Sequence, residues 1–132
     1  AGLQVKGLRY TQSAFYSSQA TSLAYAMADW ISANPGTTFY NIAWTGTGTA
    51  ITPLAPSRDC RASTCTQAEM ASYDKYQWLT LVSQTLPLGD AQITQNPLIA
   101  SEFTIDIRWD DDHNGDNKGT DETYSYKVRI GS

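Results

Sequence analysis

The first quarter of the chain carries one long helical pattern, which constrains the fold more than any other feature. No proline occurs before Pro35, and Asn34-Pro35-Gly36 ends the pattern with residues typical of a helix stop. Apolar residues recur at the spacing of one helix face, at Val5, Leu8, Phe15, Tyr16, Leu23, Met27 and Trp30. The pattern predicts an amphipathic helix over residues 1–34, roughly 50 Å long, whereas the average globular helix has about 11 to 12 residues.

The start of this helix has no capping signal. Ala1-Gly2-Leu3-Gln4 offers no Ser, Thr, Asp or Asn before the apolar periodicity begins. We therefore expect the printed chain to begin partway along a longer helix. A frayed or extended N-terminal segment is the alternative. No run of the printed sequence is itself apolar over the roughly 20 residues needed to span a bilayer.

A second helix is predicted from Thr66-Gln-Ala-Glu69, which has the form of a capping box. We expect it over residues 67–85, ended by Leu86-Pro87-Leu-Gly89, with one apolar face formed by Met70, Ala71, Trp78, Leu81 and Val82. Asp74 falls within that face. It is interpreted either as a carboxylate that reaches solvent at the edge, or as a buried acceptor for backbone amides or for Arg58 or Arg61.

The last third of the chain has the alternation of β-strands. Apolar and polar residues alternate in two runs separated by a polar loop, which predicts an antiparallel hairpin over residues 102–130 packed on a helix. Residues 91–95 are expected to add a short strand, and residues 37–44 form a further candidate. The predicted fold class is α+β in a single domain, residues 1–132, with residues 1–34 as the long helix and residues 35–132 as a globular head.

Composition excludes some functions. The formal charge is −4 and the basic residues are scattered, which argues against nucleic-acid binding because that needs clustered Lys and Arg. The chain has 1 His and no nucleophile elbow, zinc-protease motif or phosphate-binding loop, so we expect no enzyme.

The cysteines are Cys60 and Cys65, and they lie in a loop rich in Pro, Ser, Arg and Thr. Two thiols without a neighbouring His do not supply the four ligands of a structural zinc site. The pair predicts a disulfide and an oxidising compartment, and two reduced thiols are the alternative.

The polar loop of the predicted hairpin fits the spacing of a calcium loop. It has Asp or Asn at alternate positions, a Gly at the sixth and an acidic residue at the twelfth, with candidate ligands Asp110, Asp112, Asn114, Asp116 and Asp121. Lys118 at the ninth position opposes an ion, and Asp121 reaches less far than Glu. A solvated turn is the alternative, because turns favour the same residue types.

Several segments together resemble a known family. The helix segment from Ser18 to Pro35, the later Asp74 and Trp78, the Leu86-Pro87-Leu-Gly89 turn and Trp109-Asp110 at a strand end are similar to PilV-type minor pilins, also called type IV pilus modification proteins. The resemblance covers nearly the whole chain. The short basic leader followed by Phe and Glu, which marks that superfamily, does not occur in the printed sequence.

The resemblance implies a type IV pilin-like fold and a non-catalytic subunit that helps to assemble or prime pili. It implies an inner-membrane protein that faces the periplasm and later enters the filament, with the transmembrane half of the first helix expected to precede the printed residues. Its partners would be other minor pilins, the major pilin and a pilus-tip adhesin. Leu3, Val5 and Leu8 are candidates for the assembly face, although they could also continue the intramolecular stripe. A type II secretion pseudopilin and a calcium-dependent adhesion module are the alternatives.

Overall fold

The computed structural model describes residues 2–34, 40–44, 55–56, 58–110 and 123–129, and for residues 2–13 it describes the backbone of a helix. Five elements follow one another in these residues: α1 Gly2–Ala33, α2 Gln67–Thr85, β1 Asp90–Gln95, β2 Glu102–Arg108 and β3 Thr123–Arg129. The long first helix, the second helix, the short strand and the C-terminal hairpin were all predicted from the sequence.

The start of α2 has the predicted capping box. The Glu69 backbone N–H donates to Thr66 Oγ1 at 3.2 Å, and the Thr66 N–H donates to Glu69 Oε1 at 2.9 Å. Two backbone donors that the first turn would leave without helical partners are therefore satisfied. The pKa of the Glu69 carboxyl is lowered, first by the Thr66 backbone hydrogen bond and also by the nearby Arg58.

The sheet is antiparallel in the order β1-β2-β3. Ile93, Ile105 and Tyr126 lie opposite one another across the three strands. They form an apolar row on the inner face of the sheet. The candidate strand at residues 37–44 is described only from Tyr40 onward. There it makes a single antiparallel bridge between Ile42 and Ile93 rather than a strand.

Both helices pack on one face of the sheet, where α1 contacts β2 and β3 and α2 contacts β1. The largest fully buried side chains share this layer: Trp78, Trp109, Tyr40, Met27, Ile31, Ile93, Ile105 and Ile107. They belong to one apolar cluster that joins helices and sheet. The predicted α+β class, a long helix packed on an antiparallel sheet, is confirmed.

The predicted apolar face of α2 is wrong at one position, Leu81. Leu81 is 42% exposed, whereas Leu79, two positions earlier, is buried with Ala71, Trp78 and Val82. Because α1 and β1 both contact α2, the buried side is set by their positions and not by the apolar pattern of α2 alone.

Candidate assembly interface

The second half of α1 is held by the head. Its buried side chains recur on one side of the helix: Ala20, Leu23, Ala24, Met27, Ala28 and Ile31. Three of the six are alanines, so the helix axis can approach α2 and the sheet closely. A hydrogen bond also joins the two helices, because the indole N–H of Trp78 on α2 donates to the Leu23 carbonyl oxygen at 2.7 Å.

The predicted assembly residues Leu3, Val5 and Leu8 lie in the first turns of α1, where the structure describes the backbone. Eighteen residues make about five helical turns. Position 5 is therefore on the same side of the helix axis as Leu23, and position 8 is on the same side as Ala26. Position 3 is aligned with Thr21, so the three residues do not share a single narrow face.

Phe15 differs from its predicted place in the head-facing stripe. Its side chain is 54% exposed and meets the half-buried Tyr16 edge to face, with ring centroids 5.8 Å apart. The predicted stripe included both residues, which are adjacent and so cannot both face the centre of the head. Tyr16 faces the core and Phe15 presents an apolar surface to solvent, seven residues after Leu8.

A shallow groove follows the seam between α1 and β3. It has a volume of about 350 Å³ and is lined by Tyr25, Ala28, Asp29, Ser32, Tyr126 and Val128. Tyr25 and Tyr126 form one wall in an edge-to-face pair with centroids 4.9 Å apart. The pKa of Tyr25 is raised, chiefly by the neighbouring Tyr124 through its charge and its hydrogen bond. The lining is thus mainly apolar and aromatic, and it includes the acidic residue Asp29.

The C-terminal end of α1 is fixed by buried and partly buried hydrogen bonds. Asn34 Nδ2 donates to the Tyr40 hydroxyl at 3.2 Å and to the Gln67 carbonyl oxygen at 2.9 Å, and the Tyr40 hydroxyl donates to Asp74 Oδ2 at 2.5 Å. Burial raises the pKa of Asp74, although the Tyr40 hydrogen bond opposes that effect. The network joins the end of α1, the following loop and α2, so it positions the helix relative to the head.

Asp74 therefore has a partner that the sequence analysis did not consider. Of the two arginines proposed for it, Arg58 pairs with Glu69 at 3.2 Å and Arg61 pairs with Asp59 at 3.6 Å. Cys60 and Cys65 are joined by a disulfide, which closes a small loop just before the start of α2.

The tip of the hairpin between β1 and β2 is a site that the sequence analysis missed. Leu98 is 93% exposed and Ile99 is 36% exposed. Both of their backbone N–H groups donate to Asn96 Oδ1, at 2.8 and 3.3 Å. The Asn96 N–H donates to the Glu102 carbonyl oxygen at 2.8 Å, and its side-chain amide donates to Glu102 Oε1 at 2.8 Å. The tip therefore holds two apolar side chains outward on a cross-linked turn.

Of the candidate calcium ligands, only Asp110 lies in the described part of the chain, and Asp112, Asn114, Asp116 and Asp121 lie outside it. Asp110 is buried, and its N–H donates to the Pro87 carbonyl oxygen at 2.8 Å. Within the described ranges, no group of three or more His, Cys, Asp or Glu is placed to hold a metal ion. The calcium site stays a prediction.

The outer face of the sheet carries a buried ion pair. Arg108 Nη2 lies 3.1 Å from Asp90 Oδ2, and its guanidinium stacks over the Trp44 ring at 4.1 Å from the centroid. Asp90 is fully buried and also accepts the Ala91 N–H at 2.9 Å. These contacts tie the segment around Trp44 to the sheet, which indicates a structural role for the pair.

The geometry defines a class of protein. A long N-terminal helix, packed through its second half on an antiparallel sheet and a second helix, is a type IV pilin-like fold. Residues 2–76, more than half of the 132, match the Tt1218-like family, described as type IV pilin Tt1218. The chain belongs to this family of type IV pilins. No curated protein and no solved structure matched it. Among the described residues, no helix is long and apolar enough to cross a membrane.

Proposed function

We propose that this type IV pilin is a PilV-type minor pilin, a non-catalytic subunit that joins other minor pilins and the major pilin when a pilus is assembled or primed. The observation that carries the proposal is the division of α1. From Ala20 onward its apolar side is buried by the head, whereas the apolar positions Leu3, Val5 and Leu8 come more than three helical turns earlier.

The mechanism is burial of helix surface between subunits. Apolar residues repeated along one side of a helix favour packing against another apolar surface, and most of the stability of a helix in a protein comes from such packing. Val5 continues the side of α1 that the head covers further along, and Phe15 adds an exposed apolar residue between the two regions. A neighbouring pilin helix would cover this part of α1 in the filament.

The proposal places the protein in the inner membrane facing the periplasm before assembly, and in the filament or at its tip afterwards. The disulfide between Cys60 and Cys65 supports an oxidising compartment such as the periplasm. The acidic chain, at net charge −4, gives no support to a nucleic-acid partner. A pilus-tip adhesin is a further partner under this proposal.

The test uses the complete protein in its own bacterium. Leu3→Asp, Val5→Asp and Leu8→Asp introduce a charge into the proposed contact, and we expect cells to lose most of their surface pili in electron micrographs. The matched control is Ser18→Asp, an exposed position further along the same helix. Normal piliation in all three variants, with normal protein levels, would overturn the proposed assembly face.

A type II secretion pseudopilin is the alternative within the same architecture. The two functions differ in which process fails when the gene is deleted. Loss of pili with normal secretion of exported enzymes supports the minor pilin, whereas the reverse phenotype supports the pseudopilin.

A calcium-dependent binding module is the other alternative, with Asp110, Asp112, Asn114, Asp116 and Asp121 as ligands. Calorimetric titration of the protein with calcium tests it, using Asp112→Ala as the disabled variant and Asp59→Ala as the control, since Asp59 is an exposed acid in another loop. Absence of heat at millimolar calcium ends the metal hypothesis.

A further inference from the structure

The groove between α1 and β3 combines aromatic and apolar walls with one carboxylate and one hydroxyl. On the helix side, its lining residues recur at the spacing of a single helix face: Tyr25, Ala28, Asp29 and Ser32. On the strand side, Tyr126 and Val128 complete the lining. Both sides of the groove are therefore built from regular elements, and the polar groups come from α1 alone.

The aromatic wall is held in place by contacts within the protein. The rings of Tyr25 and Tyr126 meet edge to face with centroids 4.9 Å apart, and Tyr25 is hydrogen-bonded to Tyr124. Tyr25 is nevertheless 50% exposed, so much of the residue is accessible from the groove. The face of an aromatic ring is electrically negative and attracts cations. A wall that is already ordered also loses little conformational entropy when a ligand binds.

The charge on the helix side of the groove is negative as well. Asp29 supplies a carboxylate, and its partners among the described residues do not include an arginine, because the arginine ion pairs there are made with Glu69, Asp59, Asp90 and Glu102. The last turn of α1, which contains Ser32, has no basic residue. The C-terminal end of a helix carries partial negative charge and favours a nearby cation.

The cations of β3 are directed away from the groove. Arg129 pairs with Glu102 on β2 at 3.3 Å. Side chains alternate between the two faces of a strand, so Lys127 and Arg129 share one face, whereas Tyr126 and Val128 share the other and pack against the core. The groove lies on the second face, where the lining residues carry one negative charge and no positive charge.

We propose that the α1–β3 groove binds a small quaternary ammonium compound of the size of choline. The groove measures about 350 Å³, and an apolar cavity of about 150 Å³ holds a benzene molecule, which is similar in size to choline. The positive charge would face the tyrosine rings and the Asp29 carboxylate. The Ser32 hydroxyl is exposed and would hydrogen-bond the hydroxyl of the ligand.

The apolar walls favour a quaternary ammonium over a primary one. A primary ammonium has three N–H donors that need acceptors, and the side chains that line the groove offer few. The methyl groups of a quaternary ammonium need none and pack on Ala28 and Val128. Because the groove is shallow, we expect a dissociation constant on the order of 1 mM. The site is distinct from the assembly role, since it uses none of Leu3, Val5 and Leu8.

Nuclear magnetic resonance titration with choline chloride at constant ionic strength tests the site. We expect the backbone amide signals of the groove residues to shift and saturate, and those of the Leu98 tip to stay in place. The matched neutral probe is 3,3-dimethyl-1-butanol, in which carbon replaces the charged nitrogen, and it should bind about five-fold more weakly or worse. Equal binding of the two compounds, or no groove shifts at ten times the expected dissociation constant, would overturn the proposal.

Variants of the groove separate charge from ring. Asp29→Asn should weaken choline binding several-fold, and Asp59→Asn, at an exposed acid in another loop, should not. Tyr25→Leu should also weaken binding, whereas Tyr25→Phe keeps the ring and should retain it. Unchanged urea midpoints show that the variants fold. Choline binding to Asp29→Asn and Tyr25→Leu as tight as to the unmodified protein contradicts the site. The piliation tests of α1 variants are unaffected by either result.

Discussion

Trp78 on α2 donates its indole N–H to the backbone carbonyl oxygen of Leu23 on α1, at a distance of 2.7 Å and with the ring fully buried. The two residues are 55 positions apart in the chain. The bond joins the two helices inside the apolar layer, where a polar N–H without a partner is costly. Trp78 therefore fixes the position of the second half of α1 relative to α2.

Two substitutions at Trp78 distinguish the stability that its hydrogen bond contributes from the stability that its buried volume contributes. We expect Trp78→Phe to lower the free energy of unfolding by about 1 kcal/mol for the lost bond, plus the cost of the smaller ring. Trp78→Ala should cost about 3–5 kcal/mol, because it leaves a cavity. Urea unfolding followed by circular dichroism measures both, and Leu81→Ala at an exposed position is the control. An unchanged midpoint for Trp78→Ala would contradict the role of the ring.

The sequence predicted the elements that depend on local chemistry. The start of α2 at Gln67 follows from the capping box, because Thr66 and Glu69 satisfy each other within one turn. Burial of Leu79 in place of Leu81, and exposure of Phe15, could not be predicted in the same way. Those outcomes depend on which side of each helix meets another element. The periodicity of one segment predicts that side only to within a residue or two.

The site residues that sequence analysis missed depend on distant contacts or on exposure. Tyr40 and Asp74 are 34 positions apart, and the sequence offered solvent, backbone amides or an arginine as the partner of Asp74 but not a tyrosine. The Leu98 tip follows Pro97, which indicates a turn but says nothing about how far a neighbouring leucine projects. A polar residue next to the turn, Asn96, was the available signal for an ordered loop.

Asp74 should make stability depend on pH in a direction opposite to that of most carboxylates. Burial raises its pKa in the folded protein above the unfolded value of about 3.9. The stability it contributes is therefore full below that value and is lost as pH rises through the folded pKa. Asp74→Asn should remove this loss while keeping an acceptor for the Tyr40 hydroxyl.

The measurement is the urea midpoint of both proteins between about pH 3 and pH 7. Since Glu69 and Glu102 have lowered pKa values and act in the opposite direction, the difference between the two proteins is the informative quantity. Asp59→Asn, at an exposed ion pair, is the control. Parallel profiles for Asp74→Asn and the unmodified protein would show that Asp74 does not titrate as described.

The disulfide between Cys60 and Cys65 should stabilise the start of α2. Closing so short a loop lowers the conformational entropy of the unfolded chain, which stabilises the folded protein by about 2 kcal/mol at most. Cys65 directly precedes Thr66, the capping residue of α2. We expect the double variant Cys60→Ser with Cys65→Ser to lose up to that amount in urea unfolding. Ser63→Ala, an exposed change within the same loop, is the control.

Mass spectrometry checks the bond itself. An alkylating reagent should add two groups to the denatured protein only after reduction. Alkylation without reductant would show two free thiols and remove the basis for the stability prediction.

Gly89 is required by a close approach at the end of α2. A Cβ atom at this position would lie 2.5 Å from the Val82 carbonyl oxygen and 3.1 Å from the Leu86 Cβ atom. That carbonyl already accepts the Leu86 N–H that ends the helix, at 3.1 Å, so it cannot move without weakening the end of the helix. We expect Gly89→Ala to lower the free energy of unfolding by about 1–3 kcal/mol, as overpacking does. Urea unfolding tests this, with Gln84→Ala at an exposed position of α2 as the control. A Gly89→Ala protein as stable as the original would mean that the turn into β1 adapts at no cost.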